Sequence, residues 1–64
     1  MNNNSYYCSY HYPDGPVATL LHSYEDCRLL AHCAVEDCTD CYMVEVRSYP
    51  SNEVVLTVTE MWEG

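Results

Sequence analysis

One stretch, Ser23 to Cys41 (S-Y-E-D-C-R-L-L-A-H-C-A-V-E-D-C-T-D-C), is the only part of this 64-residue chain in which apolar residues return at helical steps. Tyr24, Cys27, Leu30, Ala31, Ala34 and Cys38 recur at intervals of three and four, which predicts one apolar stripe lying against a sheet. Glu25, Leu29, His32 and Glu36 fall on the opposite ridge, where Leu29 is the odd member, either an ordinary exposed leucine or an anchor inside a polar contact face. Ser23 is the expected N-cap, because its hydroxyl can accept from a free amide of the first turn. Asp26, three residues on, completes a capping-box-like pair.

The charges at the two ends of this helix differ in meaning. Glu25 and Asp26 sit at the positive end of the macrodipole, where each is expected to contribute about 0.3–1 kcal/mol. Glu36, Asp37 and Asp40 sit at the negative end, where the same effect reverses sign, and no Lys or Arg lies near them in sequence. Either water screens these carboxylates or they serve a partner.

Both flanks read as strand. Tyr6 to Tyr12 alternates Tyr6, Cys8, Tyr10 and Tyr12 against Tyr7, Ser9 and His11. Pro13-Asp14-Gly15-Pro16 is a turn, and Val17 to Leu21 a second short strand. After the helix, Tyr42 to Ser48 alternates Tyr42, Val44 and Val46 against Met43, Glu45 and Arg47. Tyr49 to Asn52 is a turn. Val54 to Met61 is the last strand, with Val54, Leu56 and Val58 on one face and Val55, Thr57, Thr59 and Met61 on the other. The expected fold is α+β, in the order ββαββ: a four-stranded antiparallel sheet with one helix on one face and the other face open. Residues 1–64 are expected to form one small domain, with 1–5 as a loose tail.

A domain of this size buries only about 60% of its unfolded surface. The formal charge is −8, from ten carboxylates against two arginines and no lysine. This argues against direct nucleic-acid binding, which needs a basic footprint, and against an anionic membrane. It favours a basic protein, or a cation, as partner. The start, M-N-N-N-S, has neither a basic region nor an apolar stretch, so a cytoplasmic location with reduced cysteines is expected.

The candidate chemistry is sparse. Cys38-x2-Cys41 has metal-ligand spacing and Cys8-x2-His11 offers a second pair, so a four-ligand zinc site is one possible arrangement. The alternatives are a disulfide, or thiols such as Cys27 and Cys38 serving as small core residues with Cys33 on the flank. Cys38-Thr39-Asp40-Cys41 does not suit a thioredoxin-like role, because a helix C-terminus and nearby carboxylates raise a thiol pKa. His32 and Cys33 are adjacent on a helix and point about 100° apart, so they do not form a nucleophile–base pair. No glycine-rich phosphate loop and no calcium loop is present. No catalytic residue and no cofactor is expected. Tyr6, Tyr7, Tyr10, Tyr12, Tyr42 and Tyr49 cannot all be buried in so small a core; either some serve an interface, or Tyr simply replaces the absent Phe as the structural aromatic.

Y-H-Y-P-D-G-P-V-A-T-L, then S-Y-E-D-C-R-L-L-A, then Y-M-V-E-V-R-S carry a resemblance at the level of architecture and charge. The chain resembles the small acidic host-takeover proteins of bacteriophages, of the anti-CRISPR and DNA-mimic inhibitor type. That resemblance implies a protein acting in the host cytoplasm that blocks a basic nucleic-acid-binding host protein by presenting carboxylates where phosphates would sit. The expected contact residues are Glu25, Asp26, Leu29, Glu36, Asp37, Asp40 and Glu45. Helical neighbours at i and i+4 lie about 5–6 Å apart and phosphates advance about 3.4 Å per step along one strand, so the scales are compatible. The alternatives are the zinc-stabilised module on Cys8, His11, Cys38 and Cys41, and a homodimeric adaptor joined by edge strands.

Overall fold

The computed structural model describes residues 5–37 and 40–64. The strands are β1 (Ser5–Tyr12), β2 (Gly15–Ala18), β3 (Met43–Tyr49), β4 (Val54–Thr59) and β5 (Trp62–Glu63), and the helix α1 (Tyr24–Asp37) lies between β2 and β3. The strands form one antiparallel sheet in the order β2-β1-β3-β4-β5. The fold is therefore α+β with one helix on an antiparallel sheet, but with five strands rather than four and the order ββαβββ. The fifth strand is two residues long and follows a Glu60-Met61 turn without Gly, Pro or Asn. It carries neither an alternation nor a hairpin signal that sequence can register.

Period-two alternation sorts the sheet as expected. Cys8, Val44, Val46, Leu56 and Val58 are buried towards α1, where they meet Cys27, Ala31, Ala34, Val35 and Cys41. Tyr6, Tyr10, Tyr12 and Leu30 close the margin of this core, and the rings of Tyr6 and Tyr24 meet edge-on at 5.5 Å. Val35 joins the buried stripe, while Tyr24 at its start is exposed. Cys38, the last expected member of the stripe, lies outside the described residues, as do residues 1–4 of the expected tail. Ser5, the remaining tail residue, is already paired with Tyr49 in the sheet.

Several strand ends differ by one to three residues, β4 ending at Thr59 rather than Met61 among them, and two differences have clear physical reasons. Val54 is exposed rather than buried beside Leu56. The pairing shifts between Val46, opposite Leu56, and Arg47, opposite Val54, which leaves Val55 as an extra residue. Such a bulge reverses the alternation beyond it and turns Val54 to the open face. β2 ends at Ala18 rather than Leu21, yet the chain stays beside β1. Thr19 donates its amide to Cys8, and His22 and Tyr6 exchange amide bonds at 2.7 and 2.9 Å. The β1–β2 turn needs a glycine, because Gly15 has φ +130°. Among the described residues, no helix is long and apolar enough to cross a membrane.

Candidate functional site

Two arginines cannot balance ten carboxylates, so where they bind decides where charge remains. Arg28 forms a fork with Glu63 on β5, from Nε to Oε2 at 2.7 Å and from Nη2 to Oε1 at 3.3 Å. His32, one helical turn on, donates to the same Oε2 at 3.0 Å. Arg47 donates to Glu45 Oε1 from Nη2 at 2.9 Å and from Nε at 3.3 Å, and to the carbonyl of Asn52 at 3.1 Å. His11 donates to that same Glu45 oxygen at 3.1 Å. The hydrogen bond from Arg28, then that from His32, draws the Glu63 carboxyl down to about 2. Burial works to raise the Glu45 carboxyl, but the bonds from Arg47 and His11 outweigh it and hold it below the usual carboxylate range.

The other eight carboxylates have no cationic partner among the described residues. Chain topology gathers five of them at one end. His11 pairs with Met43, Val44 with Val58, Thr59 with Trp62 and Tyr12 with Gly15. The β1–β2 turn, the start of β3 and the β4–β5 turn therefore share an end of the sheet, and α1 runs towards that end from the His22 bridge beside Tyr6. Asp14, Glu36, Asp37, Asp40 and Glu60 collect there, and Asp14 and Asp40 line one hollow. The last turn of α1 contains no basic residue, so the negative end of its macrodipole adds to the potential there.

The expected contact residues divide accordingly. Glu36, Asp37 and Asp40 come together at the acidic end. Glu25 and Asp26 lie about 15–18 Å away at the start of the helix, where Ser23 Oγ accepts from the Asp26 amide at 3.2 Å. Leu29 is 62% exposed on the outer ridge of α1. Glu45 is on the opposite face of the sheet, held by Arg47 and His11, and does not join the others. Asp14 and Glu60 belong to the acidic end although nothing nearby in sequence connects them to it. Only the antiparallel return of the chain brings their turns to the same end of the sheet.

The four-ligand zinc arrangement does not form. A spacing of three on a strand puts its members on opposite faces. Cys8 is fully buried beneath α1, whereas His11 bonds Glu45 on the open face. Cys41 is buried, and Cys38 lies outside the described residues. Burial, and then the neighbouring Cys27, pushes the Cys8 thiol up to about 12, and burial raises Cys27 as well. Both are core residues and poor nucleophiles.

Ser9, His11 and Glu45 match a catalytic triad in composition only. Ser9 Oγ lies 3.5 Å from His11 Nε2, the nitrogen already bonded to Glu45. A working triad uses one ring nitrogen for the nucleophile and the other for the acid. No protein-family model, no curated protein and no solved structure matches the chain.

Proposed function

We propose that this is a non-enzymatic, charge-complementary inhibitor of a basic nucleic-acid-binding protein, of the anti-CRISPR or DNA-mimic type. One observation supports the reading above the others. Both arginines are spent on carboxylates elsewhere, Arg28 on the β5 flank and Arg47 on the open face. The acidic end, with Asp14, Glu36, Asp37, Asp40 and Glu60, is left without a compensating cation among the described residues. Carboxylates gathered at one end of a small sheet suit a cationic groove that otherwise holds phosphates. Electrostatic attraction of this kind acts mainly on the association rate and on choice of partner.

The test is affinity capture from the cells in which the protein acts, followed by a displacement assay on the captured partner. The wild-type chain is expected to release nucleic acid from that partner. D37N/D40N is expected to bind about tenfold more weakly, a loss of about 1.4 kcal/mol, while keeping or slightly raising its own stability, because it relieves the negative end of α1. A partner that keeps its nucleic acid while bound, or equal affinity of the variant, would overturn the reading.

A further inference from the structure

One helix cannot cover a five-stranded sheet. The edge strands lie about 19 Å apart at a spacing of about 4.8 Å, and a helix with its side chains is about 10–12 Å across. Here α1 packs on β1, β3 and β4, and its Cα atoms stay more than 8 Å from those of β2. β5, at the other edge, is reached from α1 by Arg28 and His32 through Glu63, so the uncovered strip is on the β2 side. Val17 faces the helix layer there, since it sits opposite the core-facing Tyr10, yet it is 53% exposed. The wall facing it is the flank of α1 that carries Asp26, Leu30, Cys33 and Asp37 at steps of four, three and four.

A separate hollow marks each end of this strip. One, of about 290 Å³, is formed by His22, Asp26, Leu29 and Leu30 beside the start of α1. The other, of about 600 Å³, has Tyr12, Pro16 and Val17 as its apolar walls and Asp14 and Asp40 as its charges. The strip is thus apolar in the middle and anionic at both ends. No arginine reaches it, because Arg28 is held by Glu63 across the helix and Arg47 lies beneath the sheet.

We propose that the trough between α1 and β2 is a docking groove for a basic amphipathic α-helix of a partner protein. Such a helix would lie alongside α1, where packed helices sit about 8–10 Å apart, and would complete the layer over β2. Its apolar stripe would cover Val17, Leu29 and Leu30. Its cations would meet Asp26 at one end and Asp14 and Asp40 at the other, the helix-in-groove mode of recognition. This rests on the reading of a basic partner for the sign of the charges, and it adds the element recognised and the surface that receives it.

The probe is a pair of synthetic peptides of about 15 residues, long enough to span α1, both made of Leu, Lys and Ala in one composition. In one, Leu recurs at i, i+3, i+4 and i+7 with Lys towards the ends; in the other the order is scrambled. The patterned peptide is expected to bind at least about tenfold more tightly, with amide chemical-shift changes confined to β2 and the near flank of α1. V17S/L29S, two exposed positions, is expected to abolish that preference with its melting temperature unchanged. Equal binding of both peptides, shift changes limited to the acidic end, or no binding would overturn the groove. A concentration-dependent doubling of mass without peptide would assign the groove to a second copy and overturn it too. The two proposals fail separately: V17S/L29S leaves the displacement assay intact if only the groove is wrong, and E36Q/E60Q, which changes no residue of the groove, leaves it intact if the acidic end is not the contact.

Discussion

Glu63 has a larger structural role than its place next to the last residue suggests. It accepts from Arg28 and His32 together and so ties β5 to the flank of α1. Its carboxyl titrates from 4.5 in an ordinary setting to about 2 in the folded chain, chiefly through Arg28. A folded-state pKa below the unfolded one means that the group stabilises the fold above the unfolded value. That contribution disappears as pH falls through the folded one. Between pH 4.5 and about 2 the wild type is therefore expected to lose a contribution that Glu63→Gln never had. The melting temperature of E63Q should lie below that of the wild type near neutral pH, and the gap should close as the pH approaches about 2. A gap that persists at the acid limit would mean that the carboxamide is disrupting packing and that charge is not the cause. Glu45 has the same kind of partnership on the open face, with Arg47 and His11.

Among the elements, the helix shows how far sequence alone reaches. Its cap, its buried stripe and its conflict of charge at the C-terminal end all follow from local spacing, and the structure has α1 starting at Tyr24 with Ser23 as its cap. Ser23→Ala is expected to cost about 1 kcal/mol, within the 0.5–2 kcal/mol range for such caps, read as a drop in melting temperature without a change of fold. An unaltered melting temperature would mean that water replaces the hydroxyl at no cost. What local spacing cannot supply is partnership across the sheet. The pairs Arg28–Glu63 and Arg47–Glu45, and the meeting of Asp14 with Asp40, depend on which strands return beside which. The bulge that turns Val54 outwards leaves no mark in the run V-V-L-T-V, because Val54, Val55 and Leu56 are all apolar and fit either alternation. Glu45 was legible as an outward-facing residue but not as a neutralised one, since its second partner, His11, is 34 residues away.

At the scale of the whole molecule, folding and binding respond to salt with opposite signs. Eight carboxylates without cationic partners among the described residues, five of them at one end, repel one another in the folded chain and less so in the expanded one. Raising sodium chloride shortens the screening length from about 10 Å at 0.1 M to about 3 Å at 1 M. The repulsion is then largely removed. The two arginine pairs lose attraction under the same conditions, but the surface pair Arg28–Glu63 contributes only about 0–1 kcal/mol, the half-buried pair Arg47–Glu45 is screened less, and both are outnumbered. The melting temperature is therefore expected to rise with sodium chloride by several degrees, on a scale where 1 kcal/mol is about 4–8 °C for a domain of this size. Chloride is the anion to use, since sulfate would stabilise by a separate route, exclusion from the protein surface. Over the same range the affinity for a basic partner is expected to fall steeply, mostly through a slower association rate. A melting temperature that falls with salt would show that the ion pairs on β5 and the open face outweigh the unpaired charge. An affinity that ignores salt would move the contact away from the carboxylates to the apolar strip around Val17 and Leu29.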